Sequence, residues 1–221
     1  MARRQRRYDA AGRGGFGAAA RSIIKGHSMK KVLFAAAITL GSAFSAQAAD
    51  AASPFKFLLG AGLTFGGDTL ITVPFTDGSR EDIKAGGLVQ LYGGGEFRLG
   101  DKVALQATIG YHVNDTSAAS NGSVRFTRVP VDVLALYELN DKVRIGAGAQ
   151  FVSGPELKGS GVASNINTKF DSTTGAIVEG EYLFTPKTGL KLRYVSEKFK
   201  RTSDGKSFDG SHVGLLFNFY F

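Results

Sequence analysis

The sequence contains no cysteine, no tryptophan and only three histidines. Without cysteine there is no disulfide framework and no soft-metal site. Of the histidines, His27 lies in the N-terminal leader, and neither His112 nor His212 has another histidine at ligand spacing, so no metal or other cofactor is expected. A dinucleotide loop is excluded as well, because Gly60-Ala61-Gly62 has the wrong spacing and no helix follows it. The chain also lacks an apolar run long enough for a helical membrane span, since Val32–Leu40 is too short to cross and stay. Its basic excess is local. Nine of the 27 Lys and Arg, but one of the 19 Asp and Glu, lie before residue 32, so the formal charge of +8 belongs to the leader and the remainder is neutral. That distribution argues against a nucleic-acid partner.

The leader has the form of a secretory signal. Met29-Lys30-Lys31 is a charged start, Val32–Leu40 an apolar stretch, and Ala46-Gln47-Ala48 a small-x-small cleavage site before Ala49. We read residues 1–28 as an extension from an upstream start assignment, 29–48 as the signal peptide and 49–221 as one domain. The arginine pairs near the start are not followed by an apolar run, so they do not read as a twin-arginine signal.

What the chain has in abundance is alternation. Its last nine residues place Val213, Leu215, Phe217, Phe219 and Phe221 on one face of a strand, with Gly214, Asn218 and Tyr220 on the other. A soluble sheet rarely exposes an edge so apolar. A closed membrane barrel places that face in lipid and pairs the strand on both sides. Seven further segments alternate in the same way, beginning near Pro54, Ile83, Val103, Val124, Val143, Thr174 and Leu190. Their connections run long, short, long, short, long, short, long. The long ones, 66–82, 114–123, 153–172 and 200–210, are rich in small or charged residues and read as solvated loops. Outward aromatics cluster at both strand ends: Phe57, Phe97, Tyr137 and Phe184 at one, Phe65, Tyr111 and Phe151 at the other. The fold class is therefore all-β, an eight-stranded antiparallel up-and-down transmembrane barrel with its long loops outside.

On this alternation, loop rhythm and terminal phenylalanine, the chain resembles the small outer membrane barrel family, which includes the transmembrane domain of the outer membrane protein A family and the opacity-type surface proteins. The resemblance implies a Gram-negative outer membrane location and contact with outer membrane lipid and lipopolysaccharide. It also implies that Val213, Leu215, Phe217, Phe219 and Phe221 form the signal read by the barrel assembly machinery.

The polar residues assigned inward are Lys56, Lys84, Glu96, Arg98, Asp132, Glu138, Arg144, Glu179, Glu181, Lys191 and Arg193. An eight-stranded barrel encloses little more than its own side chains, so we read these as a salt-bridged plug. The alternative is a narrow path for ions or small apolar solutes. A third reading, less favoured, follows some small barrels that modify lipid A with His, Ser and a carboxylate. There His112 would meet Ser117 or Asp115, and His212 would meet Ser211 or Asp209. No local motif supports it, and the chain is read as a monomeric, non-enzymatic envelope or surface protein. Lys198, Lys200, Arg201 and Lys206 near the last loop are candidates to meet lipopolysaccharide phosphates.

Overall fold

The computed structural model describes residues 54–74, 78, 80–116 and 122–221. The leader, including Ala46, Ala48 and Ala49, lies outside the described residues. Among the described residues thirteen strands follow in order: β1 (Phe55–Gly66), β2 (Thr69–Pro74), β3 (Arg80–Lys84), β4 (Leu88–Arg98), β5 (Val103–Asp115), β6 (Gly122–Glu138), β7 (Val143–Gly161), β8 (Asn167–Lys169), β9 (Thr173–Thr185), β10 (Thr188–Ser196), β11 (Lys198–Lys200), β12 (Ser207–Asp209) and β13 (His212–Tyr220).

Eight of these form the barrel. The hydrogen-bonded order is β6-β5-β4-β1-β13-β10-β9-β7, and β6 pairs with β7 to close the ring. The first and last strands run antiparallel from Leu58 opposite Tyr220 to Gly66 opposite His212. Closure matters because lipid offers no partner to a free strand edge. On the outer surface Phe57, Leu59, Phe65, Ile109, Val178 and Leu192 are each about half exposed or more, as lipid-facing side chains must be. Gly93-Gly94-Gly95 marks a tight passage in β4. A Cβ on Gly94 would lie 2.0 Å from the Ala107 carbonyl oxygen, so glycine there lets the strand pass its neighbour.

Above the barrel the structure departs from the loops expected. β7 does not end near Phe151 but continues to Gly161, paired with β6 as far as Gly122. The alternation is hidden by a bulge at Gly154, whose φ of 59° suits glycine, after which the inward residues shift from even to odd numbers. The segment expected as a continuous strand from Ile83 is broken before Leu88, and Ile83 belongs to the separate hairpin β2–β3. β10 ends at Ser196, and the buried inward positions continue beyond it through Glu197 to Phe199 on β11.

These outer segments lock together as a cap. β8 pairs with β7, Phe170 bridges to Arg201, β11 pairs with β12, and the Asp68 amide donates to the Asp209 carbonyl at 2.7 Å. The cap encloses a dry core of Ile83, Val124, Phe126, Leu157, Phe170 and Phe199. Phe126 meets Phe170 and Phe199 edge-on at 5.6 and 5.7 Å. The reason is apolar burial: the inward positions of the cap face mainly one another, and apolar and aromatic side chains fill the space between them. Phe126→Ala is therefore expected to cost the cap about 3–5 kcal/mol. Limited proteolysis should then cleave the cap segments while the barrel keeps its heat-dependent shift in gel electrophoresis; an unchanged digestion pattern would contradict a packed cap.

Candidate functional site

The lumen is filled by polar side chains in three levels. Nearest the tight-turn end, Arg144 from β7 donates to Glu181 at 2.8 Å and to Glu96 at 2.9 Å. Tyr220 and Asn218, both on the last strand, donate to Glu181 at 2.7 and 2.8 Å, and Tyr92 donates to Asn218. Arg144 also lies 4.9 Å over the Tyr220 ring.

In the middle level Arg193 from β10 reaches across the barrel to Asp132 at 2.6 Å and along its own side to Glu179 at 2.8 Å. Lys191 holds the other Glu179 oxygen at 2.6 Å, and Gln150 donates to Asp132 at 2.9 Å. Glu179, Lys191, Arg193 and Asp132 are all buried. Charges taken so far from water persist only when each meets an opposite charge and hydrogen bonds.

The outermost level lies beneath the cap. Thr64 and the His112 Nε2 are 2.6 Å apart, and His112 faces His212 edge-on at 5.3 Å. Arg128 donates to the Ala85 carbonyl, and Glu197 stands 3.8 Å from Arg128 and 3.5 Å from His212.

Seven of the eleven residues assigned inward lie in the two lower levels: Glu96, Asp132, Arg144, Glu179, Glu181, Lys191 and Arg193. Arg98 and Glu138 pair with each other at the tight-turn rim, part-exposed, and Lys56 is half-buried at the same end. Lys84 is a correction. It sits on β3 of the cap, exposed to solvent, because the turn after it resets the alternation and turns Ile83 inward instead. Arg128, Glu197, Tyr92, Asn218 and Tyr220 were not singled out as a network. Arg128 was legible from parity alone, lying an even number of residues before Asp132 on one strand. Glu197 was obscured because no outward apolar partner follows Tyr194.

The carboxylates named beside the histidines for lipid A chemistry have other partners among the described residues. Asp115 is taken by Arg125 at 2.6 Å, and Asp209 accepts from the Ser211 amide at 3.0 Å. Hydrogen bonds from the Ser211 side chain and backbone hold the Asp209 carboxyl below its ordinary range. Ser117 lies outside the described residues. Among the described residues no group of three or more His, Asp or Glu is placed to hold a metal ion.

A model of the outer membrane protein beta-barrel domain matches residues 36–221. The chain belongs to this family. It is an all-β outer membrane barrel protein, and its outer membrane location follows from that membership. Among solved structures it is similar to Ail, the attachment invasion locus protein of Yersinia pestis, at 9% identity and a TM-score of 0.51, covering 76% of this chain and 97% of that one. A second structure of Ail, in complex with the heparin analogue sucrose octasulfate, matches at 10% identity and 0.50, covering 76% and 100%. Neisserial surface protein A matches at 12% identity and 0.46, covering 78% and 100%. At such identities the likeness to Ail is one of fold. No curated protein sequence matches the chain.

The energetic asymmetry of the buried level is testable. Arg193→Met leaves Glu179 short of one partner and Asp132 without its cation, and is expected to cost about 3–5 kcal/mol. Lys56→Met at the rim should stay within about 0.5 kcal/mol. Reversible urea unfolding in lipid vesicles measures both, and equal effects would show that the middle level is not a desolvated network.

Proposed function

We propose that this protein is a non-conducting surface barrel whose cap binds phosphate or sulfate groups of an outer-leaflet or surface polysaccharide, lipopolysaccharide first among them. The observation carrying this reading is the combination of a lumen crowded with paired charges and a β11–β12 hairpin with an excess of exposed cations. Lys198, Lys200 and Lys206 are exposed on the β11–β12 hairpin, and Lys169 is exposed on β8. Arg201 is half-buried, paired with Asp204 at 3.0 Å, and both Arg201 and Lys206 lie 5.2 Å from the Phe208 ring. Phe208 thus gives the hairpin a rigid base for its cations. Asp204 and Asp209 offset part of the charge and leave four cations against two carboxylates over 198–209. The complex of Ail with sucrose octasulfate supports the reading only in that a barrel of similar fold presents a polyanion site. In the same reading the protein works as a monomer, and the outward face Val213 to Phe221 is what the assembly machinery recognises.

Two measurements test this. In planar bilayers the folded protein should give no discrete conductance steps; steps altered by Glu96→Gln or Arg144→Met would establish a channel instead. Binding to lipopolysaccharide micelles should weaken by about tenfold or more in the K198E/K200E/K206E variant and fall with added salt. Binding unaffected by both changes would remove the cationic face from the account.

A further inference from the structure

The level beneath the cap is used by nothing described so far. We propose that His112, His212, Arg128 and Glu197 form a proton-binding junction that keeps the cap seated on the barrel at neutral pH and releases it in acid.

The cluster holds the roots of both cap hairpins. Arg128 donates to the carbonyl of Ala85, directly after β3, and its guanidinium lies 5.5 Å from the Phe126 ring and 5.4 Å from the Phe199 ring of the cap core. Glu197 is the residue between β10 and β11, three positions beyond Tyr194, an outward-facing side chain of β10. Its carbonyl accepts from the Gly210 amide at 3.0 Å, so the β11–β12 hairpin hangs from this pair. The site is shaped for the glutamate. A Cβ on Gly175 would stand 2.9 Å from Glu197 Cβ, and one on Gly210 would stand 3.0 Å from its Cγ. His212 follows two residues later and donates from Nδ1 to the Gly210 carbonyl at 2.8 Å.

Both Glu197 oxygens, His112 Nδ1 and His212 Nε2 are buried without a hydrogen-bond partner. These are proton-accepting atoms gathered beside a fixed cation, and Arg128 disfavours a metal ion there. Above pH 7 the cluster carries one carboxylate, one guanidinium and two neutral rings. A proton on either free ring nitrogen of the seated form would add a cation near Arg128, with no acceptor in place for it. Lifting the cap lets water take that role. The other charged groups around the cluster are Arg193 and Asp132 from the level below and Asp209 from the cap. Asp209 stays ionised throughout, since its carboxyl is held below 3.8.

Glu197 acts in the opposite sense. Burial pushes its carboxyl up to about 7, against Arg128, which lowers it. A raised value in the seated form means that Glu197 favours seating as pH falls from about 7 to 4.5, and that this contribution is lost as pH rises again. Two released imidazoles, each protonating below about pH 6.5, outnumber the single carboxylate. Near pH 5 the released form therefore binds one proton more than the seated form, and the ratio of released to seated rises about tenfold per pH unit of acidification.

The chain has no cysteine, so spin labels can be placed cleanly at Asp141→Cys, on an exposed tight turn of the barrel, and Ser203→Cys, on the exposed turn of the β11–β12 hairpin. Pulsed electron-spin distance measurement on the full, folded protein in lipid vesicles should give one narrow distribution at pH 7.5 and a second, longer population at pH 5. The H112Q/H212Q variant should lose the acid release. Glu197→Gln should steepen it, toward about a hundredfold per pH unit, because only the opposing imidazoles remain. An unchanged distribution down to pH 5 overturns the proposal, as does acid release that persists in H112Q/H212Q. Should that double variant fail to fold, the slope of Glu197→Gln decides: a slope equal to or shallower than the parent's overturns the assignment.

Discussion

Arg193 lies at mid-barrel between Glu179 and Asp132, and its burial constrains what surrounds it. A guanidinium there is stable only if acceptors come from both its own side of the wall and the far side. Asp132 can serve because β6 and β10, separated by β7 and β9 in a ring of eight strands, turn these side chains into the same narrow lumen. A wider barrel would separate them and admit water; the narrow one makes the two walls close enough to pair. The same constraint repeats at Arg144, which collects Glu96 and Glu181.

Filling the lumen with ion pairs leaves the outer segments as the part of the molecule free to meet solutes and surfaces. They are not pliant loops. Their described residues fold against one another over a shared aromatic core, so the β11–β12 hairpin presents its cations from a packed base. Between the cap and the ion-paired levels lies the junction of His112, His212, Arg128 and Glu197, where the hydrogen bonding is least complete. With ion-paired levels below and an apolar core above, motion is expected at this seam.

The eight barrel strands and their lipid faces were legible in the sequence because alternation is a local property: successive side chains of a strand point to opposite sides whatever the strand's neighbours are. Legibility ended where that period was interrupted. The bulge at Gly154 shifted parity and disguised the outer half of β7 as a loop. The turn before Leu88 did the same to Ile83 and Lys84, exchanging which of them faces inward. Small, polar loop composition also concealed the cap, since Val124, Phe126, Phe170 and Phe199 stand far apart in the chain and meet only after closure.

By itself, then, the sequence determined the class of fold, the number of membrane strands, the apolar belt and the set of charges turned away from lipid. All of these follow from period-two patterning and the need to pair backbone groups in a bilayer. Which charge meets which was decided by the tertiary structure. Asp132 and Arg193 are 61 residues apart and lie on strands separated by two others in the ring, and the two histidines, 100 positions apart, meet because β13 and β5 lean their inward side chains into the same outer level. Such contacts depend on strand order, register and the width of the ring, which no local pattern encodes.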